Sequence, residues 1–372
     1  MRLSARRDLA LNAICPYFTM FPLEYPLKIL GRHRKRRPVV MDPFCGRGTT
    51  LFAARHLGLR TWGADTSAVA VAIAKAKLAQ ATFEEIIDLA ANLAYGITPR
   101  AVPRASFFRS AFEPTTLARV CSIREGLLGM PSESDAVVLL RATMLGCLHG
   151  PRSKDPSHAS YFSNQMPRTF APKPGYAVRF WKSRGMEAPK VDVLFVLSKK
   201  LERICQAMRE TDNTVSQVRH GDARLISTFP GLARRFSVVV TSPPYYGMKT
   251  YVPDQWLRNW FLGGPPVVEY SGHKQLSHFG QDSFASSLGK VWRNMARSEA
   301  DSLDMYVRFG LLPSFKANAK ELFLNSLEES CQKWKWVYTA GAATADAGMR
   351  QADQWVESTA VAEHDFHVRR AD

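Results

Sequence analysis

Residues 38–80 constrain the fold more than any other part of the 372-residue chain. The run Pro38-Val39-Val40-Met41-Asp42 has strand character and leads into the loop Pro43-Phe44-Cys45-Gly46-Arg47-Gly48. A helical pattern follows over 49–57, a second strand over 61–65, and an alanine-rich helix over 67–80. Strand, glycine loop, helix, strand, helix is how a doubly wound α/β sheet begins. Gly46 and Gly48 let the backbone approach a ligand closely, and the helix starting at Thr49 offers free amides to an anionic group. Asp65 ends the second strand, where a ribose with two free hydroxyls needs an acceptor. A dinucleotide site carries a third glycine; Leu51 stands in its place and speaks against a pyrophosphate ligand. Taken alone, Gly-x-Gly also reads as a plain tight turn.

Strand signals then stop. From 83 to 209 the pattern is helical or irregular, with helices expected over 83–95, 114–127 and 135–148. Strands resume at 215–220 and 236–241. A helix over 283–300, a strand over 305–309 and a helix over 316–332 follow. Strands at 335–340 and 362–368 then form a hairpin across a long, helix-like connection. The expected fold is α/β, a seven-stranded sheet with a large helical or irregular insertion after the second strand. The division reads as 1–80, first half of the sheet domain; 81–214, insertion; and 215–372, second half.

The second motif is Thr241-Ser242-Pro243-Pro244-Tyr245-Tyr246, directly after the apolar run at 238–240. Two prolines stiffen the chain and remove two amide donors, so nearby carbonyls and the Ser242 hydroxyl are presented as acceptors. An amino group needs such acceptors to turn its nitrogen lone pair toward an electrophile. Tyr245 offers a face on which a planar base stacks. The competing reading is a strand terminator.

The Asp42–Thr50 loop and the Thr241–Tyr245 strand end resemble motifs I and IV of the DNA amino-methyltransferases, which modify cytosine N4 or adenine N6. The segment 17–22, Tyr-Phe-Thr-Met-Phe-Pro, resembles their motif X, and Gly221-Asp222-Ala223 the segment that meets the cofactor adenine. The resemblance covers residues 17–80 and 215–370. It implies the class I, Rossmann-like methyltransferase fold and S-adenosylmethionine as cofactor, held by Thr19, Phe21, Asp42, Phe44, Gly46, Gly48, Thr49, Asp65, Asp222 and Ala223. It makes Ser242, Pro243, Pro244 and Tyr245 the catalytic residues, transferring the methyl group directly to a flipped-out base. Serine at the first catalytic position resembles the cytosine-N4 members; aspartate or asparagine is commoner in adenine-N6 members, which remain the alternative. The chain departs from the named subgroups in carrying its insertion before motif III. Asp222 also suits a helix cap.

Lysine and arginine number 50 against 33 acidic residues, a formal charge of +17. Such an excess favours a polyanionic partner, here double-stranded DNA, by counterion release. Cations alternate with aromatics and amides in the insertion 81–214, which reads as the candidate target-recognition region or else as a basic, partly buried loop covering the sheet edge. Asn164, Gln165, Arg168, Lys173 and Arg179 are the expected DNA contacts, with Tyr246 and Arg258 near the catalytic turn. Residues 32–37 (RHRKRR) read either as a phosphate contact or as a solvated face. Trp256 and Trp260, four residues apart, read as one apolar helix face.

Six cysteines (Cys15, Cys45, Cys121, Cys147, Cys205, Cys331) show no metal-ligand spacing and are expected as reduced thiols. Neither a signal peptide nor a membrane span is expected, so the expected location is the cytoplasm. RNA or protein amino groups are weaker substrate alternatives, because no RNA-binding module precedes the catalytic part. A partner restriction endonuclease and the oligomeric state stay open.

Overall fold

The computed structural model describes residues 9–17, 22–131, 133–150, 159–166, 173–208, 216–229, 236–247, 251–270, 276, 279–297, 302–311, 317–341 and 363–370. In chain order it begins with α1 (Glu24–His33), β1 (Val39–Asp42), α2 (Thr49–His56), β2 (Thr61–Asp65) and α3 (Ala68–Ala76). Then come α4 (Phe83–Gly96), α5 (Ser106–Ala111), α6 (Pro114–Gly129), α7 (Asp135–Cys147), α8 (Pro174–Lys182) and α9 (Val193–Ala207). The chain continues with β3 (Gln217–His220), β4 (Phe236–Thr241), α10 (Tyr251–Asp254), α11 (Trp256–Phe261) and α12 (Gln281–Ala296). It closes with β5 (Asp304–Gly310), α13 (Ala319–Glu329), β6 (Trp334–Gly341) and β7 (Glu363–Arg370). Two compact units result. One comprises Thr19–Ala74, Thr211–Lys249 and His273–Asp372; the other comprises Met1–Phe18, Lys75–Glu210 and Thr250–Gly272.

The first unit is built on a seven-stranded sheet in the order β3-β2-β1-β4-β5-β7-β6. The first five strands of that order run parallel, and β7 is antiparallel to both β5 and β6. This is the Rossmann-like topology of the class I methyltransferases, as the motif order predicts. Strands β1 and β4 lie at its centre, which is why 39–41 and 238–240 are continuous apolar runs rather than alternating ones. Helix α12 covers the sheet with Phe284, Leu288, Val291, Trp292 and Met295, all on one helical face and all buried. Leu322, Phe323 and Leu327 of α13 join the same core, and Trp292 Nε1 donates to Ser326 Oγ at 2.9 Å. Truncating a side chain like Trp292 costs about 3–5 kcal/mol.

The second unit is helical. Helix α4 opens with a capping box, Thr82 Oγ1 accepting from Glu85 N at 3.2 Å while Glu85 Oε2 accepts from Thr82 N at 2.8 Å. Helix α7 is apolar on nearly every face and almost wholly buried, as a central helix must be. Its Gly146 admits the N-terminal segment: an added Cβ would lie 2.2 Å from Ile14 O. Trp256 and Trp260 pack on Phe107 and Phe108 of α5, with ring centroids 4.8 Å apart for Trp256–Phe107 and for Trp260–Phe108. The i, i+4 spacing of the tryptophans thus marks a core face.

The elements differ from expectation mainly at their ends and in the helices of weak pattern. The helix after β2 stops at Ala76, β3 starts at Gln217, and β7 runs to Arg370. The hairpin of β6 and β7 forms as expected; its connection, 342–362, lies outside the described residues. Helices α1, α5, α8, α9 and α10 are additional to the expected set. Among the described residues no helix is long and apolar enough to cross a membrane, and no cluster of ligating side chains could hold a metal ion. All six cysteines are free thiols, with Cys15, Cys45, Cys121 and Cys147 buried.

Candidate active site

The residues singled out for chemistry in the sheet unit gather at the carboxyl ends of β1, β2, β3 and β4, where open α/β sheets bind ligands at the reversal of strand order. Asp42 ends β1. Its Oδ1 accepts from Thr241 Oγ1 at 2.6 Å and from Phe44 N at 3.1 Å, while Oδ2 is enclosed and has no hydrogen-bond partner among the described residues. Burial pushes the Asp42 carboxyl up to about 6, against the lowering effect of the Thr241, Thr50 and Phe44 donors. An enclosed carboxylate oxygen without a protein donor is costly, and it suits a neighbour that is cationic or offers an N–H.

The loop after Asp42 turns through Gly46 (φ +48) and Gly48 (φ +77). At Gly48 an added Cβ would lie 2.9 Å from Ala74 Cα, so only glycine lets this turn pass under α3. At Gly46 the nearest atom would be Phe44 O at 4.0 Å, so the space above the loop is open. Gly46 N donates to Asp65 Oδ2 at 2.9 Å, and Ser67 N to Asp65 Oδ1 at 2.8 Å. Burial raises the Asp65 carboxyl, and these two amides oppose the shift. Thr49 is buried at the first turn of α2, and Phe44 sets its ring edge-on to Trp292 at 6.3 Å.

Asp222 follows β3, and a local partner holds it: Arg224 donates to it through Nε at 3.0 Å and Nη2 at 2.6 Å, and through its amide at 2.9 Å. Ala223 is buried, and its carbonyl accepts from Asn294 Nδ2 at 2.9 Å. Beyond β4, Ser242 is half-buried, and among the described residues its hydroxyl has no hydrogen-bond partner. Pro243 is buried, and Pro244 and Tyr245 are half-buried. Tyr245 lies edge-on to Phe309 at 6.2 Å, and its hydroxyl donates to Glu363 Oε1 at 2.5 Å. Sequence reasoning missed Glu363, which reaches Tyr245 only because β7 pairs with β5.

Residues 5–76 match the DNA methylase family model. This supports a DNA methyltransferase. The matched segment runs through the glycine loop and Asp65 and ends before the Ser242 turn. No curated protein matches the chain. Two solved structures align with most of the chain at low scores. One belongs to work on conversion of a disulfide bond into a thioacetal group during echinomycin biosynthesis; its TM-score is 0.32 and identity 9%, covering 93% of this chain and 81% of that one. The other is described as a type I restriction-enzyme modification subunit from Vibrio vulnificus YJ016, with TM-score 0.34 and 10% identity, covering 98% of this chain. The chain spans 46% of that subunit's length. The fold class rests on the strand order itself.

Of the expected contacts for DNA, Asn164, Gln165, Lys173, Arg179 and Arg258 belong to the helical unit, and Tyr246 to the sheet unit. Lys173 and Arg179 are exposed on α8 and its cap, beside exposed Tyr176. Gln165 is half-buried, and its carbonyl accepts from Trp181 Nε1 at 3.1 Å. Three of these residues are buried rather than at the surface. Asn164 is buried and donates to Ser110 O and Met186 O. Arg258 is buried, with Nε on Leu145 O at 3.1 Å and Nη1 on Gln255 Oε1 at 2.6 Å. Tyr246 packs edge-on to Phe284 at 5.3 Å within the core. Thr19, Phe21 and Arg168 lie outside the described residues.

Proposed function

We propose that this chain is an S-adenosylmethionine-dependent DNA methyltransferase that methylates an exocyclic amino group, cytosine N4 in preference to adenine N6. The observation that carries the reading is the Asp42–Thr241 hydrogen bond, which sets the glycine loop beside the Ser242-Pro243-Pro244-Tyr245 turn. The donor set suits the cofactor: an enclosed carboxylate oxygen on Asp42, open space above Gly46, and Asp65 at the end of β2. Asp42, Phe44, Gly46, Gly48, Thr49, Asp65, Asp222 and Ala223 would hold it, and Arg224 would release part of its grip on Asp222. When bound, the cofactor supplies an electrophilic sulfonium methyl group.

The chain's own part is alignment. The Ser242 hydroxyl and the Pro243 carbonyl accept from the target amino group, which turns the nitrogen lone pair outward and stabilises the positive charge that builds on it. Tyr245 stacks on the flipped base, whose extrusion costs a few kcal/mol that phosphate contacts and stacking offset. Serine rather than an acid at position 242 favours cytosine N4. The helical unit is the proposed target-recognition region, with Lys173 and Arg179 as phosphate contacts and Gln165 near the base edges. Double-stranded DNA is the substrate, and a cognate endonuclease is a compatible partner.

The test is incubation of the purified protein with genomic DNA and methyl-labelled S-adenosylmethionine, followed by nucleoside mass spectrometry. N4-methylcytosine is expected. N6-methyladenine overturns the base preference and keeps the mechanism. Cofactor binding with no labelled nucleoside overturns DNA as the substrate in favour of RNA or protein amino groups.

A further inference from the structure

We propose that Glu363 is a positioning residue for the reaction, fixing the plane of Tyr245 through its hydroxyl. The inference rests on the reading of Tyr245 as the base-stacking residue. Glu363 opens β7 and pairs with Gly310 at the end of β5, next to Phe309. Tyr245 is held at both ends: its ring lies edge-on to Phe309 at 6.2 Å, and its hydroxyl donates to Glu363 Oε1 at 2.5 Å. The ring also packs against the core of the sheet unit, and the hydroxyl bond adds a fixed point at its far end, which sets the tilt of the ring.

The carboxylate is itself held in place. Glu363 Oε2 is enclosed and has no hydrogen bond among the described residues, so the Tyr245 hydroxyl is the described donor that stabilises this group. Two residues further along β7, Asp365 takes a two-point hydrogen bond from Arg308 of β5, at 2.8 Å and 2.9 Å, which clamps the strand pair beside the site. A stacking face matters to the rate only if it is oriented before the base arrives, because a small misplacement of the base lengthens the nitrogen's approach. Glu363 thus acts through Tyr245 without touching the reacting atoms.

The test compares E363A, E363Q, Y245F and the Y245F/E363A double variant in methyl transfer to DNA, alongside cofactor titration. A hydrogen bond to a charged group is lost in E363A, so kcat is expected to fall roughly tenfold with cofactor affinity unchanged, and less in E363Q, where an acceptor remains. The double variant is expected to be no slower than Y245F. Raman difference spectra against Y245F read the Tyr245 ring doublet, which changes when its hydroxyl loses a strong acceptor; the change is expected in E363A and is smaller in E363Q. Losses that multiply in the double variant, or a Tyr245 doublet unmoved by E363A, overturn the proposal. A wild-type protein that methylates no DNA overturns the proposed function instead, and the Raman comparison then still decides the Tyr245–Glu363 assignment.

Discussion

The Thr241 hydroxyl donates to Asp42 Oδ1 at 2.6 Å, joining the ends of β1 and β4 at the reversal of strand order. The two residues are 199 positions apart in the chain. Each begins a segment of the candidate site: Asp42 the glycine loop, Thr241 the Ser-Pro-Pro-Tyr turn. The bond ties these segments together but leaves Asp42 Oδ2 enclosed and without a donor. Burial of that oxygen carries an electrostatic cost whenever the carboxyl is charged.

That cost has a pH signature. The folded-state value of Asp42 is about 6, above the 3.8 of a free side chain. Its contribution to stability is thus fully present below about pH 4 and lost as pH rises through about 6, a swing on the order of 3 kcal/mol. Asp42→Asn removes the titration. Urea unfolding measured from pH 4 to pH 7.5 should fall more steeply for the wild type than for the variant, and above pH 6 the variant should be at least as stable. Cofactor affinity should move the other way, dropping tenfold or more. Parallel pH curves for the two proteins would count against the buried charge.

The two loop glycines should separate stability from binding. Gly48→Ala forces a left-handed residue and a 2.9 Å approach to Ala74 Cα, so it should lower stability by about 2–4 kcal/mol. Gly46→Ala meets only the left-handed strain, about 1 kcal/mol, because its Cβ would enter open space. That space is where the cofactor is proposed to lie. Calorimetric titration should therefore show weak or no cofactor binding by a folded Gly46→Ala protein. Wild-type affinity in that variant would place the ligand elsewhere.

The sheet was legible because each of its central strands is written twice, as an apolar run and as the chemical motif that ends it. The runs at 39–41 and 238–240 are apolar because β1 and β4 lie inside the sheet, and Asp42 and Thr241 are polar but buried because each ends its strand bonded to the other. Trp256 and Trp260 were legible as core from spacing alone. Burial was not legible for Asn164, Arg258 and Tyr246. Their polar or aromatic character suits DNA contact, but Ser110 and Met186 hold Asn164, Leu145 and Gln255 hold Arg258, and Phe284 packs on Tyr246; apart from Gln255, these neighbours are not local in the chain. Glu363 escaped for the same reason: its link to Tyr245 spans 118 positions and exists only through the β5–β7 pairing.

Burial also divides the cations expected to touch DNA. Arg179 is exposed on α8, so Arg179→Ala should leave the melting temperature within a degree or two of wild type. It should weaken DNA binding uniformly across sequences and lower the slope of log affinity against log salt by about one. Arg258→Ala strips hydrogen bonds from Leu145 O and Gln255 Oε1 in the interior, and should lower stability by about 2–4 kcal/mol with little change in salt slope. Thermal melts and fluorescence anisotropy at several salt concentrations check both. A salt slope altered by Arg258→Ala in a protein of normal stability would restore that residue to the DNA contact surface.

Ser242 decides whether the turn after β4 is catalytic or a strand end. Ser242 is half-buried, and among the described residues its hydroxyl has no hydrogen-bond partner that a substitution would strand. Ser242→Ala should keep wild-type stability and cofactor affinity, since Asp42, the glycine loop and Asp65 are untouched. Removing one preorganised acceptor from the amino nitrogen should slow the chemical step roughly a hundredfold. Rapid-quench single-turnover transfer of labelled methyl to DNA isolates that step from product release. A rate close to wild type would mean that the amino group is oriented by other acceptors, and the Ser-Pro-Pro-Tyr turn would then be a structural stop.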